Sequence, residues 1–495
     1  MREVKRNRGR KPACVVLAVV YTLAMIAFSG MLIWLNMLPV KYLIPLIAVI
    51  LAGSFLVDAF LFIRKPKSRR RTAAVIISLL LIAVYGVGMY YIYSTQDLFA
   101  KISTIGRETE EYYLIVRKDD DMRGTYEDIA GDTVGILKTE SATYAEAAVR
   151  LGEITDVNYR REDNIFDVGR NLLKEKCDVI LVSSTYYSMI CENIDGFEDG
   201  TRIIYKLTVE KEVEAASKSV EAITKTPFSV FISGIDIFGD INEISLSDVN
   251  MVMTVNPVTH TILLTSIPRD SYVTLHTYQQ MDKLTHAGAY GVDESMMTIE
   301  DMLQVELNYY IRVNFSTVVD VVDAIGGITV NSDYEFTTHG RQNEGYSFVK
   351  GENQLDGASA LAFARERYSF QDGDFQRNKN QQIVLKAMLD KILSSETLLT
   401  RYSQLLDAVE NEMQTSISKR EIQALVKMQI DDMAGWTIKT QSITGGTGMD
   451  YCYSVGAACS VVYPDPVEVK KAVRRIDGVE QGAKQADGEW TWDFE

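Results

Sequence analysis

Hydrophobic residues are distributed along the chain in two patterns, which divide it into a head and a body. The first 93 residues contain three long apolar segments, at about 13–38, 43–63 and 73–93. Each segment is about long enough to cross a hydrocarbon layer ~30 Å thick. The remainder alternates short apolar runs with amphipathic stretches, as the strands and helices of a folded protein do. The pattern therefore predicts a three-span transmembrane anchor over residues 1–93, followed by a large folded body.

The body itself divides into two predicted domains. Residues 94–222 alternate short buried strands, such as TVGIL and DVILVS, with helical stretches, which predicts a small α/β accessory domain. Residues 223–495 place further apolar strands, such as VNMVMTV and TILLTSI, between helical stretches. This alternation predicts a mixed β-sheet sandwiched by helices. The expected fold class is α/β, with the accessory domain and three transmembrane helices preceding the main domain.

Charge is distributed as unevenly as hydropathy. The net charge is −16, yet the first 93 residues carry 13 Lys and Arg against 2 Asp and Glu. Basic runs precede the first apolar segment and separate the second from the third, as RKPKSRRR. The positive-inside rule therefore predicts a multi-pass cell-membrane protein whose chain is extracytoplasmic after about Ser94. The acidic body argues against nucleic acid as a partner.

Candidate binding residues are densest in the segment ALAFARERYSFQDGDFQRNKNQQ. Arg365 and Arg367 are two apart, so in an extended strand they would point to one face. Asp374, Arg377 and Gln381 have helical spacing and would share one face of a helix. Guanidinium groups match phosphate oxygens two at a time, so the segment predicts a cationic phosphate-binding cleft. The segment alone leaves open a solvated face with local salt bridges.

Three upstream segments carry matching chemistry. Arg269 and Asp270 come just after an apolar strand, and Lys283 lies in the separate segment MDKLTHAGAY, 13 residues after Asp270. Asp236 ends one apolar run and Asp248 opens the next. Two separated carboxylates of this kind can hold a hard cation such as Mg²⁺, which prefers oxygen ligands and keeps room for substrate phosphate.

In this order, the segments resemble the LytR-CpsA-Psr family of cell-wall glycopolymer ligases. The resemblance rests on SDVNMVMTVNP, SIPRDSYV, NFSTVVDVVDAIGGITV, LDGASALAFARERY and DGDFQRNKNQQ, and it covers residues 225–400 best. It implies a phosphotransferase that moves a polyprenyl-pyrophosphate-linked glycan, of capsule or teichoic-acid type, onto peptidoglycan. It also implies Mg²⁺ or Mn²⁺ as cofactor and a membrane lipid as part of the donor. Three spans with an accessory domain are similar to the CpsA-like members.

The resemblance also implies roles for single residues. Asp236 and Asp248 are the implied metal ligands. The implied catalytic residues are Arg269, Arg365, Arg367, Asp374 and Arg377, and the implied pyrophosphate-binding residues are Lys283, Arg365, Arg367, Arg377 and Gln381. Asp374 is expected to orient an arginine, and the alternative is that it acts as a general base. The chain departs from the family pattern at Asn380, where an arginine is usual. Either that arginine is dispensable or Lys379 compensates for it.

The cysteines and histidines give no metal motif. Cys452 and Cys459 are candidates for a disulfide across a hairpin, and Cys177 with Cys191 is a second possible pair. Neither pair has the spacing of zinc ligands. The four histidines are scattered and form no metal-binding motif.

Two other function classes stay open beside the ligase. A cell-envelope transcriptional regulator would need a cytoplasmic effector module, but the predicted cytoplasmic parts are only short basic runs. A non-catalytic polyprenyl-phosphate binder or a pyrophosphatase would keep the arginines and the metal site. The sequence does not separate this class from the ligase.

Overall fold

The computed structural model of the protein describes residues 12–62, 69–103, 107–212, 218–235, 240–339, 345–394, 401–409 and 412–482. The chain separates into two units. The first combines Met1–Lys101 with Lys419–Ala434, and the second comprises Ile102–Ser418 and Gly435–Glu495.

Three long helices form most of the first unit, and each is apolar and long enough to cross a membrane. They are α1 (Pro12–Leu35), α2 (Val40–Leu61) and α3 (Arg69–Ile102). Most of their large apolar side chains are exposed, as is expected of helices that face lipid rather than a protein core. The three apolar N-terminal helices expected from the sequence are confirmed, and the third continues beyond its expected end.

A five-stranded sheet begins the second unit. Its strands are β1 (Arg107–Arg117), β2 (Thr133–Leu137), β3 (Asn158–Glu162), β4 (Val179–Ser183) and β5 (Thr201–Glu212), in the order β3-β2-β4-β1-β5. Its helices are α4 (Ala142–Ile154), α5 (Ile165–Leu173), α6 (Ser184–Asn193) and α7 (Phe197–Gly200). Strand β2 runs parallel to β3 and β4, and β1 runs antiparallel to β4 and β5. In α4, the Ser141 hydroxyl caps the helix by accepting from the Tyr144 N–H, and Ala147 and Leu151 are buried on the same side.

A second, six-stranded sheet has the order β16-β11-β6-β7-β8-β17. The strands of this part are β6 (Phe228–Ile235), β7 (Ser247–Asn256), β8 (Thr261–Ile267), β9 (Tyr272–Thr274), β10 (Met281–Lys283), β11 (Tyr309–Val313), β12 (Ile328–Ser332), β13 (Phe336–Thr337), β14 (Ser347–Phe348), β15 (Gly351–Leu355), β16 (Met413–Thr415), β17 (Thr437–Ser442), β18 (Gly445–Cys452) and β19 (Ala457–Pro464). The helices are α8 (Leu284–Ala287), α9 (Val292–Leu303), α10 (Phe315–Ala324), α11 (Gly357–Arg365), α12 (Gly373–Ile392), α13 (Tyr402–Val409), α14 (Lys419–Asp432) and α15 (Pro466–Glu480).

Both faces of the six-stranded sheet are covered. Every residue of β6 and of β8 is buried, and neighbouring residues of a strand point to opposite faces. Apolar residues of α9 and α15 pack on β6, β7 and β8, while α12 packs against β8 and β17. Parallel and antiparallel pairs occur in the one sheet. The expected α/β fold, a mixed sheet with helices and a smaller α/β part before it, is confirmed.

The hairpin of β18 and β19 joins the two sheets. In its turn, the Val455 carbonyl oxygen accepts a hydrogen bond from the Ile165 N–H at 3.0 Å. Cys452, Val455 and Val461 belong to the hydrophobic core of the five-stranded sheet. The hairpin therefore packs into the accessory part of the second unit while its other end continues toward α15.

Within the first unit, α14 contacts the turn between α1 and α2. Lys41 forms a 2.9 Å ion pair with Asp431, and the Lys427 amine donates to Asn36 Oδ1 at 3.1 Å. Helix α14 thus lies at the end of the helices where α1 and α2 are joined, opposite the end where α2 stops at Leu61 and α3 begins at Arg69.

Candidate active site

A cleft of about 540 Å³ opens where β8 ends and α12 begins. Arg269 and Asp270 follow β8, and Asp374 and Arg377 lie in the first turns of α12. Residues of the β18–β19 hairpin form a further wall, namely Gly445, Gly446, Thr447, Ser460 and Val462. The hairpin is joined to the segment that follows β8, because the N–H of Val462 donates to the Asp270 carbonyl oxygen at 2.8 Å.

Arg377 is the buried cation of the cleft. Its side chain is about 8% exposed, and its Nη2 lies 3.2 Å from Asp374 Oδ1, one helical turn away. Its Nε and Nη2 atoms are buried and have no hydrogen-bond partner among the described residues. Burial, and then the positive charge of Arg269, lower the pKa of Arg377. A guanidinium held in this way is short of acceptors, and an anionic ligand would supply them.

Arg269 is fixed by carboxylates on two sides. Its Nη1 donates to Asp248 Oδ1 at 2.7 Å, and its Nε lies 3.9 Å from Asp270. Lys283 completes the group by donating to Asp270 Oδ1 at 3.0 Å. The charge of Asp248 raises the pKa of Arg269. Burial alone would raise the pKa of Asp270, but Lys283 and Arg269 outweigh it and the net shift is downward.

Arg365 and Arg367 do not form the strand-end pair expected from the sequence, and that expectation is wrong. Arg365 is the last residue of helix α11, and its guanidinium lies over the Phe315 ring at 4.1 Å. Arg367 follows in the connection to α12. Its Nη2 donates to the Tyr368 hydroxyl at 2.6 Å, and its Nη1 is 4.0 Å from Asp374. Asp374 therefore connects Arg367 to the cleft, whereas Arg365 stacks on a different element. Their role in binding phosphate stays a prediction.

Asn380 has a structural contact where the family pattern has an arginine. It is buried, its Nδ2 donates to the Phe363 carbonyl oxygen at 3.1 Å, and its Oδ1 accepts from Gln376 at 3.0 Å. Asn380 thus joins α12 to α11. Lys379 is exposed, and Gln381 is half-buried and is not among the residues that line the cleft. The binding role of Gln381 stays a prediction.

The oxygen donors of the cleft fit a hard divalent cation. Asp236 lies outside the described residues, so its expected role as a ligand stays a prediction. Asp248 lies beside Arg269, and the Oδ1 atom of Asp374 is buried without a hydrogen-bond partner in the described part of the chain. Carboxylates next to phosphate-binding cations are the donor set that Mg²⁺ or Mn²⁺ uses.

The hairpin wall is the part of the site that the sequence did not reveal. The glycine content of the run TGGTGMD predicts a flexible turn, but most of the run forms strand β18. A Cβ atom on Gly445 would overlap the backbone carbonyl of Tyr463 on the paired strand. Glycine is therefore required where the two strands approach most closely beside the cleft. The sequence signal that predicts this hairpin is the short segment SVGA, which lies between two stretches that contain apolar residues.

The chain matches the model of the LytR_cpsA_psr family over residues 192–461. A relative named polyisoprenyl-teichoic acid–peptidoglycan teichoic acid transferase TagU, from Enterococcus faecalis, is 35% identical over 239 residues, which are 48% of this chain and 76% of the relative. The relative of the same name from Bacillus subtilis is 38% identical over 203 residues, covering 41% of this chain and 63% of the relative. The crystal structure of B. subtilis TagV is similar with a TM-score of 0.44 and 30% identity, covering 53% of this chain and 99% of that one.

Proposed function

Because the chain belongs to the LytR_cpsA_psr family, we propose that it is a membrane-anchored phosphotransferase. Its substrates would be a polyprenyl-pyrophosphate-linked glycopolymer, of capsule or teichoic-acid type, and peptidoglycan. One observation carries the proposal. Buried guanidinium nitrogens of Arg269 and Arg377 line a cleft and have no hydrogen-bond partner among the described residues. Asp248, Asp270 and Asp374 offset the charge of the two cations but leave these nitrogens short of acceptors, which the oxygens of a pyrophosphate would supply.

Each cleft residue has its own role in the proposed transfer. Arg377 and Arg269 bind the oxygens of the phosphoryl group that is transferred. Asp374 orients Arg377 through their 3.2 Å contact, and Asp248 fixes Arg269. A hydroxyl oxygen of peptidoglycan forms a new P–O bond to the glycan-linked phosphorus as its O–H bond breaks. The bond from that phosphorus to the bridging oxygen of the pyrophosphate breaks, and the lipid phosphate leaves and takes up the proton. Fixed cations around this group stabilise the negative charge that develops in the transition state.

Mg²⁺ or Mn²⁺ would be held by Asp248 and by Asp236, and would neutralise phosphate charge when bound. Substitution Asp248→Asn keeps the side-chain size but removes the charge. We expect a loss of metal-dependent transfer, which titration of Mg²⁺ against transfer rate would measure.

The outward orientation of the body is also part of the proposal. The contacts of α14 with the turn between α1 and α2 support it, because that turn lies at the opposite end of the helices from Arg69, Arg70 and Arg71, with which α3 begins. A reporter cysteine at Val349, which is 55% exposed, tests it. We expect labelling by a membrane-impermeant thiol reagent on intact cells. Protection of the reporter until lysis would show the orientation to be wrong.

The transfer itself is tested with the full chain in detergent. A short glycan on a polyprenyl pyrophosphate is mixed with peptidoglycan fragments, and mass spectrometry follows the phosphodiester product. Lys keeps the charge of Arg but not its two-pronged geometry, so we expect Arg269→Lys and Arg377→Lys each to lose most activity. Arg474, which is exposed on α15, provides the matched control as Arg474→Lys.

The same assay separates the alternatives. Release of a glycan phosphate without attachment to peptidoglycan would identify a pyrophosphatase. Binding of the donor with neither product would identify a binding protein. Full activity in both cleft Lys variants would contradict the role given to the arginine pair.

A further inference from the structure

Four side chains that the proposed function does not use converge at the base of the β18–β19 hairpin. Asp282 lies in β10, His286 in α8, Cys452 at the end of β18 and Cys459 in β19. Potential ligand atoms of Asp282, His286 and Cys452 all lie within 4.8 Å of one another. Cys459 lies diagonally across the hairpin from Cys452, two residues beyond its partner Ala457. Three of the four side chains are buried and Cys459 is half-buried, so the cluster is largely shielded from bulk water.

The cluster is rigidly held by its surroundings. Asp282 Oδ1 is 2.6 Å from His286 Nδ1, and the N–H of Ser454 donates to Asp282 Oδ2 at 2.6 Å. The Ser454 hydroxyl lies 3.0 Å from the same imidazole nitrogen. Because these contacts come from the hairpin turn as well as from β10 and α8, the carboxylate and the ring are positioned before any ligand arrives.

The strand register favours a bridging ligand over a disulfide. Cys452 is paired with Ala457, whereas Cys459 is paired with Asp450, so the two cysteines are diagonal neighbours on one face of the hairpin. Diagonal Cα atoms are about 7–8 Å apart. A disulfide needs Cα atoms about 4.4–6.8 Å apart, so closing one here would require the strands to shift. Two thiolates that share a metal ion tolerate the larger separation.

We propose that Asp282, His286, Cys452 and Cys459 form a binding site for a zinc-class transition-metal ion. Thiolate and imidazole ligands select ions of this kind over Mg²⁺ or Ca²⁺. Four protein ligands complete a tetrahedral shell and leave no open position, which is typical of structural rather than catalytic zinc. Binding releases the thiol protons and replaces the Asp282–His286 hydrogen bond with bonds to the ion.

The site would fix one wall of the cleft. The hairpin carries Gly445, Ser460 and Val462 at the cleft, and Lys283, next to Asp282, is paired with Asp270. An ion that ties the hairpin to β10 therefore holds both the glycine wall and the lysine in place. Metal binding can be measured without any transfer assay, so the inference stands independently of the proposed function.

The test uses the full chain purified in detergent, reduced, and stripped of metal with a chelator. Zinc(II) is then titrated against a competing chromogenic chelator. We expect one zinc per chain, and we expect Cys452→Ser and Cys459→Ser each to weaken affinity by more than about 100-fold, since even outer-shell changes cost 10- to 100-fold. Cys191→Ser, which removes a half-buried cysteine of the accessory part, should bind as the parent does.

Cobalt(II) provides a readout that needs no variant. The parent chain should show thiolate-to-cobalt charge-transfer absorption, and zinc should slow hydrogen exchange over residues 445–462. No stoichiometric zinc binding, or equal affinity in the parent and Cys452→Ser, would overturn the proposal. So would a Cys452–Cys459 disulfide found by alkylation and mass spectrometry in protein that binds no zinc after reduction.

Discussion

The substitution Arg377→Met tests whether Arg377 binds the substrate or stabilises the fold. Methionine has a similar length and no charge, so it fills the same space on α12. If Arg377 is present to bind substrate, its removal should abolish transfer while the fold becomes more stable. If Arg377 is a structural ion-pair partner, the same change should weaken the fold.

The structure gives the expected magnitude. Two buried nitrogens of Arg377 have no hydrogen-bond partner in the described part of the chain, and each such group costs about 1–3 kcal/mol. The ion pair with Asp374 offsets part of that cost. Asp374 is 38% exposed and also lies 4.0 Å from Arg367, so when Arg377 is removed it keeps a second cation nearby and part of its side chain in solvent. We therefore expect a net gain of about 1 kcal/mol, or roughly 2–4 °C in Tm for a domain of this size.

The assay combines thermal unfolding with transfer. Activity should fall by about 100-fold or more, as when a donor to a developing oxyanion is removed. A lipid-pyrophosphate ligand present at about 100 times its Kd should stabilise the parent by about 2.7 kcal/mol and Arg377→Met hardly at all. Arg474→Met, on an exposed part of α15, should change neither quantity. A lower Tm in Arg377→Met, or retained activity, would refute the reasoning.

Three further predictions concern buried polar groups. Arg312→Met leaves Glu108 without its 3.0 Å ion-pair partner at a site where both side chains are at most 2% exposed. Denaturant unfolding should therefore show a free energy of unfolding lower by about 3 kcal/mol or more, and an unchanged midpoint would contradict this. Burial raises the pKa of Glu110, so its contribution to stability is complete below about pH 4.5 and is lost as pH rises through the folded-state pKa. Glu110→Gln should therefore gain stability relative to the parent as pH rises above about 4.5, and parallel pH profiles of the two proteins would contradict this. Asn380→Ala should lower the free energy of unfolding by about 1–3 kcal/mol, because it breaks the hydrogen bonds that join α11 and α12. Lys379→Ala should change neither stability nor transfer. Loss of transfer in Lys379→Ala alone would show that the lysine replaces the missing arginine.

Periodicity in the sequence determined the elements that depend on local pattern. Long apolar segments identified the three helices of the first unit, and apolar runs alternating with helical stretches identified the mixed sheet. Helical spacing placed Asp374 and Arg377 on one face of α12, where they are in contact. The same logic failed for Arg365, because the segment before it is helical. Its start carries a capping box at Asp356 and Ser359 that the sequence displayed.

Only the tertiary structure decided which distant segments meet. Asp282 and Ser454 are 172 residues apart and share a hydrogen bond, and Glu108 and Arg312 are 204 apart and form a buried ion pair. No spacing rule relates such positions, because their proximity follows from how two sheets and a hairpin pack after each has formed. Local sequence therefore determined the secondary elements and the identity of the cleft's cations. The packing of those elements determined the hairpin wall, the partners of each cation and the thiol cluster, since these depend on buried surface shared by the whole domain.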